Sequence, residues 1–355
     1  MNQLEGGYLA TGQYENQDGL IWRYAVKING NETVWERQIG NGDYVGSTND
    51  LAFDAQQTSD GNYLVAGRAR WEGTGSRTWG TLTKLGSDGG TLWNQSYEEI
   101  KMKSVRSISD TPESGYLVGG SDRNYGSSGV FAKINRTGAV EWNRSSQFLI
   151  EHIERVNDNK YLLVGRNSSQ GRASLIDSRG NLLWNHSNAN SMFMDAIELQ
   201  NRQLMVVGQS AGSNRNAIVR ILDSDGRTVW NRTYDSEGDN RIFAVERTQN
   251  NTYLLAGSTS TSKGETSYVR GVKINYTEGT DITDPIGGFS NPPTDPDDDG
   301  KFEDINGDES FTITDVQGFF VHQNDPVVEN HPDAFDFNED SDVTITDVQR
   351  LFFEL

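Results

Sequence analysis

One short phrase recurs six times along this chain, and it limits the fold more than any other feature of the sequence. Each copy is a run of strand-forming residues closed by a glycine, and the final glycines lie 43 to 55 residues apart. A unit of that length holds four short strands and their turns. The copies are GGYLATG at Gly6, GNYLVAG at Gly61, SGYLVGG at Ser114, NKYLLVG at Asn159, RQLMVVG at Arg202 and NTYLLAG at Asn251.

Each of the first five copies is followed by an alternating apolar segment, a turn and a strand that contains tryptophan. The clearest turns are DSRG at Asp177 and DSDG at Asp223, clusters of Asp, Ser and Gly that are typical of hairpins. A fourth strand, such as LAFDAQQT at Leu51, precedes the next copy. Because such short strands cannot bury both faces alone, the repeats must stack on one another. We therefore predict a mostly β fold, a six-bladed β-propeller over residues 1–278. The repeated Tyr and Trp should wedge between sheets rather than form a ring of sugar-stacking aromatics.

The phrases GNYLVAG and LDSDGRTVW resemble the repeats of a large group of secreted bacterial and archaeal β-propellers. The resemblance covers about four fifths of the chain and implies the fold rather than a ligand. Two departures stand out, because the chain begins at the second strand of a repeat and the sixth copy lacks the tryptophan strand. We expect either an unusual closure of the ring or a sequence truncated at its N-terminus.

An enzyme is the alternative function that the repeat leaves open. LDSDGRTVW at Leu222 is similar to the tryptophan-docking repeat of quinone-dependent dehydrogenases and to the Asp-box of sialidases, where such phrases are structural turns. Among 51 acidic residues no catalytic pair can be chosen. The alternative is thus a glycoside hydrolase or lyase acting on extracellular polysaccharide, with a quinoprotein-like dehydrogenase less favoured. The histidines follow no recurring spacing and are His152, His186, His322 and His331.

The net charge of the chain disfavours negatively charged binding partners. With 51 Asp and Glu against 31 Lys and Arg, the formal net charge of -20 disfavours nucleic acid and anionic membranes. Arginine outnumbers lysine in this acidic sequence, which resembles the proteins of salt-loving archaea. The chain has no cysteine, so any metal must bind to oxygen or imidazole.

The sequence predicts an extracellular or cell-surface location, although its opening residues, MNQLEGGYLA, do not form a signal peptide. The chain also lacks an apolar run of about 18 residues that could span a membrane. The location rests on glycosylation sequons, of which four directly follow a repeat tryptophan, and chance stays open as their cause. The sequons begin at Asn31, Asn94, Asn135, Asn143, Asn167, Asn185, Asn231, Asn250 and Asn275.

After the sixth repeat the composition changes to Gly, Pro, Thr and Asp without periodicity, which predicts a linker over residues 279–296. Two related phrases follow, DINGDESFTITDVQGFF at Asp304 and DFNEDSDVTITDVQRLFF at Asp336. Both have the spacing of a twelve-residue calcium loop, with oxygen ligands at positions 1, 3, 5, 7 and 12. The predicted Ca²⁺ ligands are Asp304, Asn306, Asp308, Ser310 and Asp315 in the first loop, and Asp336, Asn338, Asp340, Asp342 and Asp347 in the second.

Helices should begin within the last part of each loop, capped by Thr312 and Thr344, so that the acid at position 12 lies at the start of the helix. Position 6 of a calcium loop is normally glycine, but Glu309 and Ser341 stand there, which predicts weaker sites. An incomplete third phrase stands upstream, and either an additional metal site or a charged linker fits it. Its acidic residues are Asp295, Asp297 and Asp299.

The paired loops resemble those of a dockerin, a small α-helical module with an EF-hand-like pair, and this module would cover residues 297–355. The resemblance implies a cohesin-like protein or cell-surface scaffold as partner. We therefore predict an extracellular, calcium-binding, non-catalytic recognition or assembly protein, with a glycan as a candidate ligand of the propeller. The two helix starts are identical and form the expected partner surface, namely Thr312, Ile313 and Thr314 with Thr344, Ile345 and Thr346.

Overall fold

The computed structural model describes most of the chain and divides it into two compact units. One unit is Met1–Val245 with Leu255–Gly271, and the other is Glu246–Leu254 with Val272–Leu355. The described residues are 2–4, 7–17, 21–40, 50–71, 77–112, 115–122, 127–168, 170–199, 202–212, 215–234, 238–248, 252–260, 267–275, 282, 284–296, 301–338, 340 and 342–355.

Six antiparallel sheets follow one another in chain order, each a meander in which successive strands pair. The first contains β1 (Asn2–Leu4), β2 (Gly7–Glu15), β3 (Ile21–Asn29) and β4 (Glu32–Ile39), and the second contains β5 (Leu51–Gln57), β6 (Tyr63–Trp71), β7 (Arg77–Leu85) and β8 (Thr91–Ser96). The third contains β9 (Ser104–Thr111), β10 (Gly115–Ser121), β11 (Gly129–Asn135) and β12 (Val140–Ser146). The fourth contains β13 (Leu149–Val156), β14 (Lys160–Asn167), β15 (Gln170–Ile176) and β16 (Leu182–Ala189). The fifth contains β17 (Ser191–Glu198), β18 (Leu204–Ser210), β19 (Ala217–Leu222) and β20 (Thr228–Tyr234), and the sixth contains β21 (Asp239–Arg247), β22 (Thr252–Ser260) and β23 (Ser267–Asn275).

The ends of this series differ from one another. The prediction that the chain starts at the second strand of a repeat is wrong, because Asn2–Leu4 already pairs with β2, placing Leu4 opposite Gly7. The sixth sheet has three strands within the described residues, and the segment after β23 that would carry a tryptophan strand lies outside them.

The repeated aromatic residues occupy equivalent positions, as predicted. Tyr63, Tyr116 and Tyr161 are buried and lie opposite the last apolar residue of the next strand. Each repeat tryptophan faces the residue just before a register shift in its sheet. These pairs are Trp35 with Lys27, Trp93 with Lys84, Trp142 with Lys133, Trp184 with Leu175 and Trp230 with Ile221.

The tryptophans join neighbouring sheets. Trp184 of the fourth sheet lies against Gly226, in the turn of the fifth, and its indole Nε1 donates to the carbonyl of Ser224 at 2.8 Å. Gly226 has φ of +78°, and a Cβ added there would lie 2.6 Å from the indole. The turn therefore requires glycine for its backbone conformation and for the space that the ring takes. The same joint recurs as Trp35 on Gly89, Trp93 on Gly138 and Trp142 on Gly180.

In five of the six copies, the glycine that closes the repeat phrase faces a backbone carbonyl of its sheet's first strand. A Cβ added to Gly165 would lie 1.9 Å from the carbonyl oxygen of Leu149, beside the bulge in β13. The close approach explains why the phrase ends in glycine. The corresponding pairs are Gly67 with Leu51, Gly120 with Ser104, Gly208 with Met192 and Gly257 with Arg241.

The C-terminal residues form a small module with helices around one apolar core. The helices are α1 (Ile313–His322), α2 (Pro326–Asn330), α3 (Pro332–Phe335) and α4 (Ile345–Phe352). Its core includes Val316, Phe319, Phe335 and Leu351. No helix in the part of the chain that the structure describes is long and apolar enough to cross a membrane.

The segment predicted as a linker contributes to this core. Ile286 is fully buried there, and Phe289 packs against the cluster. A Cβ added to Gly318 of α1 would lie 2.9 Å from the ring of Phe289. The packed module therefore extends upstream of residue 297, since Ile286 and Phe289 belong to its core. The sequence predicted a linker there because these apolar residues are few and the rest of the segment is polar.

Candidate metal centre

The first predicted loop is organised around two buried carboxylates, those of Asp304 and Asp315. Asp304 accepts hydrogen bonds from the backbone N–H groups of Asp308 at 3.1 Å and Glu309 at 2.8 Å. Asp315 accepts from the N–H groups of Asn306 at 3.2 Å and Thr312 at 2.9 Å. These bonds tie the carboxylates at positions 1 and 12 to backbone groups of the same loop. Burying negative charge in this way is costly without a compensating cation or donor.

The second loop repeats this arrangement. Asp347 accepts from the N–H groups of Asn338 at 3.2 Å and Thr344 at 2.7 Å, and Asp336 accepts from that of Asp340 at 3.1 Å. Carboxylate oxygens of Asp336, Asp340 and Asp347 all lie within 4.8 Å of one another. Among the residues that the structure describes, this is the one group of three or more ligand-type side chains that close together.

The remaining predicted ligands lie beside these carboxylates. Asn306 and Asn338 donate through their amides to Thr314 and Thr346, at 3.4 and 2.7 Å. The backbone N–H groups of Ser310 and Asp342 donate to Asp308 and Asp340, respectively, at 3.1 and 3.0 Å.

At position 6 of the first loop the backbone has the left-handed conformation for which calcium loops normally use glycine. Glu309 has φ of 68°, in the left-handed region that favours glycine, so its side chain stands where a Cβ is strained. Ser341, the residue at position 6 of the second loop, lies outside the described residues. So do Asp297 and Asp299 of the third phrase, although Asp295 is described.

Both predicted helix starts are present. Thr312 and Thr344 are N-caps whose hydroxyls accept from the N–H groups of Thr314 and Thr346. Asp315 and Asp347 complete capping boxes by accepting from the cap N–H groups. The last carboxylate of each loop therefore also fixes the first turn of a helix, so any ion it holds is coupled to helix order.

The expected partner surface is only partly apolar at the helix starts, where Ile313 and Ile345 are 46% and 44% exposed. A larger apolar area, which the sequence did not predict, lies further along α1 and just past α4. Phe320 and Phe352 directly follow the buried residues Phe319 and Leu351, and they are 58% and 52% exposed. An open groove of about 840 Å³ runs between these helices, lined in part by Phe320, Val321, Phe352 and Phe353.

A second polar cluster, which the scattered histidines did not reveal, lies on the first strands of the propeller sheets. Glu151 of β13 bridges Arg106 of β9 at 2.5 Å and Arg166 of β14 at 3.2 Å. The guanidinium of Arg106 also lies 4.7 Å from the ring centroid of Phe53. Glu151 is paired with two arginines, and its ion pair with Arg106 links the fourth sheet to the third.

In the second to fifth sheets, the residue that follows the bulge of the first strand has a polar side chain that reaches the next sheet. Asp54 accepts from the N–H of Ile108 at 2.8 Å, and Ser107 accepts from that of Ile153 at 3.0 Å. Asp54 and Ser107 each stand three residues after the residue whose carbonyl faces the phrase glycine, namely Leu51 and Ser104. This constant spacing is the sequence signal that could have identified them.

His152 occupies this position in the fourth sheet, and its Nδ1 lies 3.1 Å from a carboxylate oxygen of Asp195. Burial alone lowers the pKa of His152, but the carboxylates of Asp195 and Glu154 outweigh burial and raise the pKa to about 9. The acidic side chains on either side therefore favour the protonated form of the imidazole.

Comparisons with known proteins are consistent with this architecture. No family model and no curated protein matches the chain. A Bacteroides caccae protein of unknown function has 15% identity and a TM-score of 0.50, with 76% of this chain and 90% of that one covered. A protein of unknown function from Dyadobacter fermentans has 11% identity and a TM-score of 0.50, with 77% and 96% covered. The WD40 β-propeller domain of Doa1 is also similar, at 14% identity and a TM-score of 0.46, with 76% and 79% covered.

These similarities extend to the fold alone. Six successive meanders, with β5, β9, β13 and β17 packed in order against one another, are the arrangement of β-propeller blades. The class of protein that the fold defines is therefore a β-propeller-type repeat protein with a small C-terminal module.

Proposed function

We propose that this chain is an extracellular, calcium-binding, non-catalytic recognition or assembly protein. In this proposal a six-bladed β-propeller is attached to a cohesin-like or cell-surface partner by a dockerin-like C-terminal module. The observation that carries it is the group of carboxylate oxygens from Asp336, Asp340 and Asp347 within 4.8 Å of one another. The same residue types recur 32 positions upstream in an equivalent hydrogen-bonded loop.

The donor set suits calcium. Carboxylates, amide oxygens and backbone carbonyls are hard oxygen ligands, and no thiol is available to favour a softer metal. In the first loop Asp304, Asn306, Asp308, Ser310 and Asp315 would hold the ion, and in the second Asp336, Asn338, Asp340, Asp342 and Asp347 would. Bound calcium would supply positive charge to two pairs of buried carboxylates and so stabilise both helix starts.

The partner surface in this proposal combines the helix starts with the apolar groove. Ile313 and Ile345 occupy equivalent positions 32 residues apart, as do Phe320 and Phe352. A partner that grips one helix start can therefore grip the other after a rotation of about half a turn. Exposed Phe and Val side chains on a strongly acidic chain support a protein partner for this face.

A calorimetric titration of the full chain with Ca²⁺ tests this proposal. We expect two ions to bind per chain, because each loop supplies a complete oxygen set. Asp340→Ala, which removes an exposed ligand of the second loop, should leave one ion. Asp284→Ala, an exposed carboxylate outside both loops, is the matched control and should leave two. A chain that binds no calcium at millimolar concentration contradicts the proposal.

The proposed environment is saline and outside the cell. Four sequons occupy equivalent exposed positions on outer strands, which supports an accessible glycoprotein surface; they begin at Asn94, Asn143, Asn185 and Asn231. The net charge of -20 repels itself unless salt screens it, over about 3 Å in molar salt.

We expect the melting temperature of the full chain to fall when NaCl is lowered from about 2 M to about 50 mM, since screening weakens over that range. Calorimetry at fixed calcium measures this change. Repeating the scan in an uncharged osmolyte separates screening of charge from a general effect on the solvent. An unchanged melting temperature contradicts the halophilic part of the proposal.

A further inference from the structure

A segment upstream of the first loop contacts that loop in three ways: a backbone bridge, a side-chain hydrogen bond and a close backbone approach. Thr294 forms an isolated antiparallel bridge with Asp304, with N–H to carbonyl distances of 2.9 and 3.3 Å. The amide of Asn291 donates to the carbonyl of Gly307 at 2.9 Å. A Cβ added to Gly307 would lie 2.1 Å from the carbonyl oxygen of Pro292, so the segment and the loop are in close contact. We call residues 291–294 the strap.

The strap also reaches a predicted calcium ligand through a side chain. The hydroxyl of Thr294 donates to Oδ2 of Asp304 at 2.6 Å. The same oxygen accepts from the N–H of Glu309, while Oδ1 accepts from the N–H of Asp308. Two donors therefore hold Oδ2, and they fix the rotation of a carboxylate that is fully buried. The other oxygen, Oδ1, is directed toward position 5 of the loop.

The second loop has no such donor at the matching place in the sequence. The repeat offset of 32 residues puts Pro326 where Thr294 stands, and proline has no hydroxyl. Pro326 instead begins α2, with Asp325 as its N-cap. The two loops share their ligand types, but the residue at the position of Thr294 differs between them.

We infer that Thr294 is a positioning residue for the first metal site and gives it an orienting contact from outside the loop. The inference rests on the proposed calcium function. Hydrogen bonds from outside the ligand set orient a ligand and commonly change metal affinity about 10- to 100-fold when they are removed. Thr294 therefore strengthens the first site selectively, and it makes the strap part of that site.

The test isolates each loop in the full chain by removing an exposed ligand of the other. With Asp340→Ala, the first loop is the one that keeps all its ligands, and with Asp308→Ala it is the second. Both replaced side chains are exposed, so the substitutions should cost little folding stability. Thr294→Val is then combined with each. Thr294→Ser restores the hydroxyl, and Ser290→Ala removes an exposed hydroxyl from a nearby residue. Calcium dissociation constants are measured by calorimetry, and thermal scans in calcium-free buffer report folding.

We expect Thr294→Val to weaken calcium binding about tenfold with Asp340→Ala, and to leave it unchanged with Asp308→Ala. Thr294→Ser should restore the affinity, and Ser290→Ala should have no effect. Unchanged or tighter binding by the first loop overturns the inference while leaving the calcium sites in place. Equal weakening in both backgrounds also overturns it, because Thr294 would then act on the whole module. Absence of calcium binding in the unaltered chain is a separate result that removes the proposed function itself.

Discussion

Replacing Gly165 by alanine is expected to lower the free energy of unfolding by about 3 kcal/mol, the upper end for an overpacked core position. The new Cβ would lie 1.9 Å from the carbonyl oxygen of Leu149 and 3.1 Å from the N–H nitrogen of Glu151. Both neighbours are backbone atoms of β13, so relief requires the first strand to move away from β14. That movement would also disturb the links that β13 makes to the sheets on either side.

Gly12 provides a matched control, since it closes the first copy of the same phrase but, apart from its chain neighbours, no atom of the described residues lies within 4 Å of an added Cβ. Gly12→Ala should therefore leave the stability within about 1 kcal/mol of the unaltered chain, or raise it slightly. Urea unfolding followed by tryptophan fluorescence measures both variants. Similar losses for the two glycines would show that the phrase glycine is required for something other than this close approach.

Removing calcium is expected to loosen α1 and α4 while the propeller sheets stay ordered. Without the ion, the buried carboxylates of Asp304, Asp315, Asp336 and Asp347 lose the cation that would balance them. A ligand present at 100 times its dissociation constant stabilises a fold by about 2.7 kcal/mol, so amide exchange in these helices should accelerate about 100-fold in chelator.

Hydrogen exchange read by mass spectrometry on the full chain measures this change. Peptides from β13 to β15 serve as the internal control, and magnesium in place of calcium tests ion selectivity. Asp347→Ala in the presence of calcium should reproduce the loosening in α4, because the same carboxylate caps that helix. Exchange in α1 and α4 that is indifferent to chelator would contradict the assignment of the loops as calcium sites.

The repeats were predictable because the same close contacts force the same residues at each copy. The glycine that closes the phrase faces a carbonyl, and the tryptophan lies on a turn glycine of the next sheet. Helix starts were also predictable, since Thr312 and Asp315 form a capping box whose bonds are local in sequence.

Features that depend on contacts between distant residues were not predictable. Ile286 and Phe289 are isolated apolar residues in a polar segment, and their burial depends on α1, which lies further along the chain. Phe320 and Phe352 stand four residues after the buried Val316 and Val348, a helical spacing that is typical of one face, but spacing alone cannot tell which side another element covers. The pairing of His152 with Asp195 joins two sheets, so no local pattern reveals it.

The tryptophan joints give the row of sheets a direction. Each of the first four sheets places its tryptophan on the turn of the sheet that follows it, so the second, third and fourth sheets each carry one projection, the tryptophan, and one socket, the turn that receives it. A repeat of this kind can be duplicated or deleted as a unit without leaving a mismatched junction, because every socket accepts the same projection. Energetically, such a row behaves like a one-dimensional polymer with nearest-neighbour coupling. Damage to one turn glycine should therefore weaken the preceding repeat as well as its own.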